Sequence, residues 1–194
     1  MSGPAAGSPH RAAICQTGQL DLSLTQPTSA ADSPHGFAAA LGALASAVTL
    51  VTIADGRDDV GVTVSAFCPV SMSPPLVLVS LIEGSYPAEL LGRLDRFAVT
   101  VLKAGQRMLA GRFAATGRPG ARHLLDDVAH HRGAASRALI PDDGLAAIEC
   151  EVISRVPAGD HLLVIARVLV VDAIAESGDP LIRFRGRYPA LAGP

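Results

Sequence analysis

A chain of 194 residues, 49% hydrophobic and 18% charged, holds enough apolar material for one well-filled core and is not a wholly disordered polymer. Its formal net charge of -2 and its 4% aromatic content without tryptophan argue against a nucleic-acid surface, an anionic-lipid surface and a stacking platform for single strands. The three cysteines, Cys15, Cys68 and Cys150, are widely spaced and form no Cys-x-x-Cys pair. That argues against a disulfide framework or a cysteine zinc site and fits a reducing cytoplasm.

Residues 1–33 are dominated by Gly, Pro, Ser, Thr and Ala, with only scattered leucines. They are expected to form a disordered or loosely packed tail, leaving a domain over 34–194. Ser33-Pro34 is a helix start, Ser as N-cap and Pro at the first helical position, and the helix is expected to run to about Ala45. The uncharged stretch Gly36 to Ala54 is long enough to span a bilayer. It is built mostly from small residues without a flanking basic cluster, and its second half alternates like a strand, so a short helix running into a strand over 47–54 is expected and no membrane span.

Asp55 to Asp59 forms a turn, and 60–67 the returning strand of a hairpin. Met72-Ser73-Pro74-Pro75 fits neither a central strand nor a helix interior, because its two prolines lack donors. Leu76 to Ile82 reads as a buried strand, 86–94 as a short helix and Phe97 to Leu102 as another strand. Residues 105–115 suit a helix that groups Met108, Leu109, Arg112 and Phe113. From Thr116 to Gly144 the pattern fades into Gly, Arg, Asp and Pro, with one helical turn near Leu124. A long irregular segment of this kind is a candidate lid or binding loop.

The last third is β again. Ala147 to Val156 places Ile148, Cys150 and Val152 on one face and Glu149, Glu151 and Ile153 on the other. Pro157 to Asp160 turns the chain, His161 to Ala173 returns as a long strand, and Leu181 to Phe184 begins the last strand after a turn at 177–180. Arg183, Arg185 and Arg187 would alternate on one face of it, holding phosphates or charging an exposed edge. Six or seven strands, mostly hairpin-linked, with few helices argue for a mainly β fold built as a barrel.

No dinucleotide Gly-x-Gly-x-x-Gly follows a strand, and no P-loop, His-Glu-x-x-His or Gly-x-Ser-x-Gly occurs. His130 and His131 lie near Asp126 and Asp127, but adjacent histidines do not easily share one ion, so no metal site is expected. The run Gly61-Val62-Thr63-Val64-Ser65-Ala66-Phe67-Cys68-Pro69-Val70-Ser71-Met72-Ser73-Pro74-Pro75-Leu76-Val77 has its own chemistry. A strand ends in small and hydroxyl residues and meets a Pro-Pro corner before a buried strand. Small side chains let a flat ligand approach the backbone, and hydroxyls with free N–H groups suit a phosphate or ring carbonyl, although a Ser-rich loop between strands has the same composition.

This run resembles that of the flavin reductase family, the FMN-binding split-barrel reductases of two-component flavin-dependent monooxygenases. Phe97-Ala98-Val99-Thr100-Val101-Leu102, Arg112-Phe113-Ala114, Gly159-Asp160-His161 and Arg185-Gly186-Arg187-Tyr188 resemble further motifs of that family in order, covering about residues 37–190. The resemblance implies a split β-barrel, Greek-key-like, with short peripheral helices. It implies that Thr63, Val64, Ser65, Ala66, Phe67 and Cys68 line the flavin and that Ser71 and Ser85 lie near its phosphate. It also places His161 by the nicotinamide or flavin face, with Arg185 and Tyr188 closing the pocket. Cys68, without a neighbouring base or cation in sequence, reads as a small buried lining group.

The sequence departs from the family pattern where Ser65 replaces Asn, Ala66 Ser, Cys68 Thr and Pro69 Ser. It departs again where Tyr86-Pro87 follows Ser85 in place of a basic residue and Thr. The implied activity is an NAD(P)H:flavin oxidoreductase using NADH or NADPH with FMN or FAD, in a cytoplasmic homodimer that supplies a partner oxygenase. Hydride transfer would proceed by proximity without an acid or base side chain, His161 being the one catalytic candidate. The alternative is a flavin- or haem-binding module of the same barrel without turnover.

Overall fold

The computed structural model describes residues 34–191. The tail expected over 1–33, the Ser33 cap and Cys15 lie outside the described residues. The chain divides into two units at Ala38/Ala39. The smaller contributes only the opening residues of α1 (Pro34–Gly42) to the described part, and everything else below concerns the larger. α1 ends at Gly42, about three residues earlier than its sequence suggests.

β1 (Ser46–Ala47) and β2 (Thr49–Ile53) follow directly, then β3 (Val60–Val64), β4 (Phe67–Met72) and β5 (Pro75–Ile82). Next come α2 (Tyr86–Arg93), β6 (Arg96–Val101), α3 (Arg107–Ala114) and α4 (Ala121–Leu124). β7 (His130–Arg132) and β8 (Leu139–Pro141) make a small hairpin, β9 (Ala146–Ala158) and β10 (His161–Ile174) a long one, and β11 (Ile182–Arg183) closes the chain against β1.

Seven strands form one antiparallel sheet in the order β3-β2-β6-β9-β10-β5-β4. β3 and β4 are its opposite edges, yet only Ser65 and Ala66 separate them in the chain. The sheet must therefore roll until its two edges meet. The Ala66 carbonyl accepts from the Ser80 N–H at 3.0 Å, tying the crossing to β5 where β3 and β4 themselves do not pair. This is the split barrel that the sequence implies. Pro69 lies at a register shift of β4 on the open edge, where a missing donor costs little.

β2 is buried along its whole length because it has neighbours on both faces. Val51 and Ile53 join Val79, Phe97, Val99, Cys150 and Val164 inside the barrel. Leu50 instead packs outward with Leu102, Leu109, Phe113 and Leu125 beneath α3 and α4. Its two buried threonines stay hydrogen-bonded, Thr49 Oγ1 to the Val64 carbonyl at 2.8 Å and Thr52 Oγ1 to the Leu139 carbonyl at 2.6 Å.

Several expectations are corrected. The segment 116–144 contains the β7–β8 hairpin: its three-residue strands are too short to show a period, and Leu139 and Ile140 are buried there. The face that Glu149 shares with Glu151 and Ile153 is covered at Glu149, which is buried because the 134–136 loop folds over it. Its carboxylate accepts from Ser136 Oγ at 2.6 Å and from the Ser136 and Ala135 N–H groups. Met108 is exposed, and Ala110 takes the buried place beside Leu109 and Phe113. Cys68 is exposed as well. The last strand ends at Arg183; positive φ at Arg185 and Gly186 turns the chain so that Phe184 bridges Arg187, and the three arginines share no face. Among the described residues no helix is long and apolar enough to cross a membrane.

Candidate active site

The site grows from the outer edge of β3. In an antiparallel strand the N–H and C=O of one residue point the same way, and successive residues alternate. The Asp59 carbonyl accepts from the Ala121 N–H at 2.9 Å and the Gly61 carbonyl from Arg118 Nε at 2.8 Å, so odd positions turn away from β2. Thr63 is next in that series, and among the described residues its backbone groups have no backbone partner. One donor and one acceptor are thus left side by side on an open edge. The Thr63 hydroxyl is not available: it donates to the Ala110 carbonyl at 2.7 Å and holds α3 in place.

Gly61 is required by the same helix. A Cβ there would stand 2.6 Å from Cδ1 of Phe113, so glycine lets the ring lie against the strand. Beside this edge opens a cleft of about 890 Å³. Its floor is β3 with Ser65 and Ala66. Its walls are the end of β5 (Ser80 to Ile82), the start of α2 (Ser85 to Pro87), the β2–β3 turn, Phe113, Ala114, residues 116–120, His161 and Arg183.

Ser85 is the N-cap of α2, its Oγ accepting from the Ala88 N–H at 3.4 Å, with Pro87 in the first turn where no donor is needed. Tyr86 donates across the mouth to Asp55 Oδ2 at 3.4 Å. His161 opens β10 half-exposed, Nδ1 donating to Asp160 at 2.7 Å, while Nε2 has no partner among the described residues. Asp59 is buried beneath the turn and accepts from Arg132 Nη2 at 2.6 Å and Arg122 Nε at 2.9 Å. Burial pushes its carboxyl up, but the two guanidiniums outweigh that and hold it below the usual carboxylate range.

Of the residues expected from the sequence, Thr63, Val64, Ser65, Ala66, Ser85 and His161 line this cleft. The others do not. Phe67, Cys68 and Ser71 lie on β4, paired with Val79, Leu78 and Leu76. Arg185 stacks on Phe184, and Tyr188 packs against the outer core under Arg107. Sequence reasoning missed Phe113 and Arg118 as lining groups; the second falls in the segment singled out as a candidate binding loop.

A rolled antiparallel sheet with a ligand-sized cleft along an open strand edge, small residues on the floor and guanidiniums in the lining offers the chemistry that a flat, phosphate-bearing ligand lying against backbone requires. The family profile described as flavin reductase like domain matches residues 41–192, and the chain belongs to that family. It is 36% identical over 158 residues to the NADH-dependent FMN reductase AsuE2 of Streptomyces nodosus subsp. asukaensis, covering 81% of this chain and 85% of that one. It is 32% identical to the reductase component of 4-hydroxyphenylacetate 3-monooxygenase from Thermus thermophilus, covering 82% and 98%. The NADH:FAD oxidoreductase SgcE6 of Streptomyces globisporus, solved in complex with NAD and FAD fragments, superposes with a TM-score of 0.74 at 29% identity over 81% of this chain and 92% of that one.

The residues present fit a flavin. The adjoining N–H and C=O of Thr63 match the alternating acceptors and donor of a pyrimidinedione edge, and Ser65 and Ala66 leave room for a ring to lie on the strand.

Proposed function

We propose that this chain is an NADH-dependent flavin reductase that takes FMN or FAD along the open edge of β3 and passes reduced flavin to a separate oxygenase. The observation that carries the reading is the unpaired Thr63 edge inside the cleft. The activities and monooxygenase roles named for the relatives support it. NADH is preferred to NADPH in this reading because the two relatives whose names state a nicotinamide, AsuE2 and SgcE6, are named for NADH.

A bound flavin supplies the hydride-accepting chemistry itself. The protein's part is placement. Thr63 orients the ring through its backbone, and Ser65 and Ala66 keep the floor shallow. Ser85 and the N-terminus of α2 offer polar contacts at one side, and His161 stands at the mouth with Nε2 free for a nicotinamide nucleotide. No side chain in the cleft is required to move a proton during the transfer, so the gain is one of proximity.

The reading includes a homodimer. Large apolar side chains stand exposed on the long hairpin and the open edge, among them Val70, Met72, Ile153, Val156, Val171 and Ile174. Such a surface fits burial against a second copy. Sedimentation at micromolar concentration should give twice the chain mass; a monomer would remove this part of the reading.

The decisive experiment is anaerobic oxidation of NADH, and separately NADPH, with FMN and then FAD added, following nicotinamide and flavin absorbance together. Turnover that saturates in added flavin and is faster with NADH is the expected result. A folded protein that turns over no pairing overturns the reductase reading, and one that then binds flavin without turnover is a binding module.

A further inference from the structure

The cleft contains a cation that the fold alone does not account for. Arg118 is half-buried, and among the described residues no carboxylate lies within ion-pair distance of it. The other arginines of this region are placed differently: Arg122 and Arg132 share Asp59, Arg112 is forked onto Asp127, and Arg57 is exposed beside Asp58. Burial of an unpaired guanidinium costs stability, and burial here disfavours its charged form.

The side chain is nevertheless fixed. Nε donates to the Gly61 carbonyl at 2.8 Å and Nη1 to the Ala115 carbonyl at 3.0 Å, both neutral acceptors. Of the five N–H donors on a guanidinium, those two are used, and the Nη2 arm carries no bond within the described residues. The anchoring carbonyl belongs to Gly61, two residues before the open Thr63 edge, so the fork is bolted to the strand that forms the floor of the cleft. A planar fork with its geometry already fixed loses little rotamer freedom on meeting an oxyanion, and two nitrogens match two phosphate oxygens. Of the other two arginines that line the cleft, Arg57 is exposed beside Asp58 and Arg183 is exposed on a two-residue strand, so both lack this preorganisation.

We propose that Arg118 is the anion-binding residue of the cleft and takes a phosphate group of the nucleotide bound along β3. The inference rests on the flavin reductase reading and adds to it a residue that distinguishes nucleotides from their dephosphorylated forms. The phosphate belongs to the flavin or to the nicotinamide nucleotide, and the two sources are separable by experiment.

The test compares FMN with riboflavin, which has the ring and ribityl chain without phosphate, in the full chain and its Arg118→Gln and Arg118→Lys variants. Dissociation constants come from quenching of flavin fluorescence, which needs no turnover. The unaltered chain is expected to prefer FMN. In Arg118→Gln, FMN affinity should fall about ten- to hundredfold and riboflavin affinity by less than about threefold, with Arg118→Lys between. If the phosphate is the nicotinamide's, the FMN-to-riboflavin ratio stays and KM for NADH, measured with riboflavin as acceptor, rises by the same factor. Equal weakening of FMN and riboflavin with no change in KM for NADH would show that Arg118 only braces β3 and would overturn the proposal. So would unchanged values throughout. A chain that binds flavins with the expected ratio but reduces none of them keeps the Arg118 assignment and sinks the reductase reading. Thermal melts of both variants confirm that folded protein is being compared.

Discussion

Thr100 is buried on β6, and its Oγ1 has no hydrogen-bond partner among the described residues. A hydroxyl in that state costs desolvation and returns nothing. Thr100→Val keeps the branched shape and removes the orphan, so it is expected to leave stability unchanged or raise it by about 1 kcal/mol in urea titration. A loss of stability would mean that the hydroxyl has a partner in solution. Glu149, also buried, is the opposite case: its carboxylate accepts from the Ser136 hydroxyl and from the Ser136 and Ala135 N–H groups. Burial pushes its carboxyl up, yet the hydrogen bonds from Ser136 and the loop backbone hold it below the usual value. Its placement was not legible in the sequence, because strand alternation reports which face a residue occupies and not whether a later loop will cover that face. Cys68 shows the converse: the lack of a neighbouring base or cation in sequence, which suggests a buried lining group, says nothing of the edge strand β4 with its bare flank on which the residue stands exposed.

At the scale of elements, α3 and β3 form one unit through Gly61, Thr63, Ala110 and Phe113. Gly61→Ala drives a methyl group into the Phe113 ring, and overpacking of this kind costs about 1–3 kcal/mol. Stability should fall by that amount, and Phe113→Leu in the same chain should restore part of it; full additivity would show that the two residues do not touch. The β7–β8 hairpin is fastened by a titrating contact. His131 Nδ1 stands 2.6 Å from Asp142 and Nε2 3.1 Å from Asp172 on β10. The bond to Asp142 raises its pKa above 6.5, burial opposes that rise, and Asp172 adds to it. A raised folded value means that the contribution is fully present below pH 6.5 and is lost as pH rises through the folded value. The group is partly exposed, so the contribution is at most about 1 kcal/mol. His131→Asn should flatten the fall of melting temperature as pH rises above 6.5. An unaltered slope would show that the contact contributes nothing. The hairpin itself escaped the sequence because its strands are three residues long, whereas β2, β5, β6, β9 and β10 are long enough for their patterns to show.

For the whole molecule, the barrel was readable from strand number, turn spacing and the motif order, which together leave few ways to arrange the chain. The cleft was half readable. Residues contiguous in sequence with the recognised run, Thr63 to Ala66, lie in it, as do Ser85 and His161 at element starts. Phe67, Cys68 and Ser71 belong to the same run but fall past the crossing between the sheet edges, and sequence adjacency does not show where a sheet rolls over. Arg118 comes to β3 through a tertiary hydrogen bond across 57 residues, a distance no local pattern reports.

The bare flank of β3 also sets how its amide protons exchange with solvent. Val62 and Val64 face β2 and are locked in the sheet, while Thr63 between them faces the cleft. In deuterated buffer the ligand-free chain should show alternating protection over these three residues, with Thr63 exchanging fastest. A molecule seated on the edge would slow Thr63 and leave its neighbours as they were. That single amide would then report occupancy directly, separating a ligand lying along the strand from one held only at the rim.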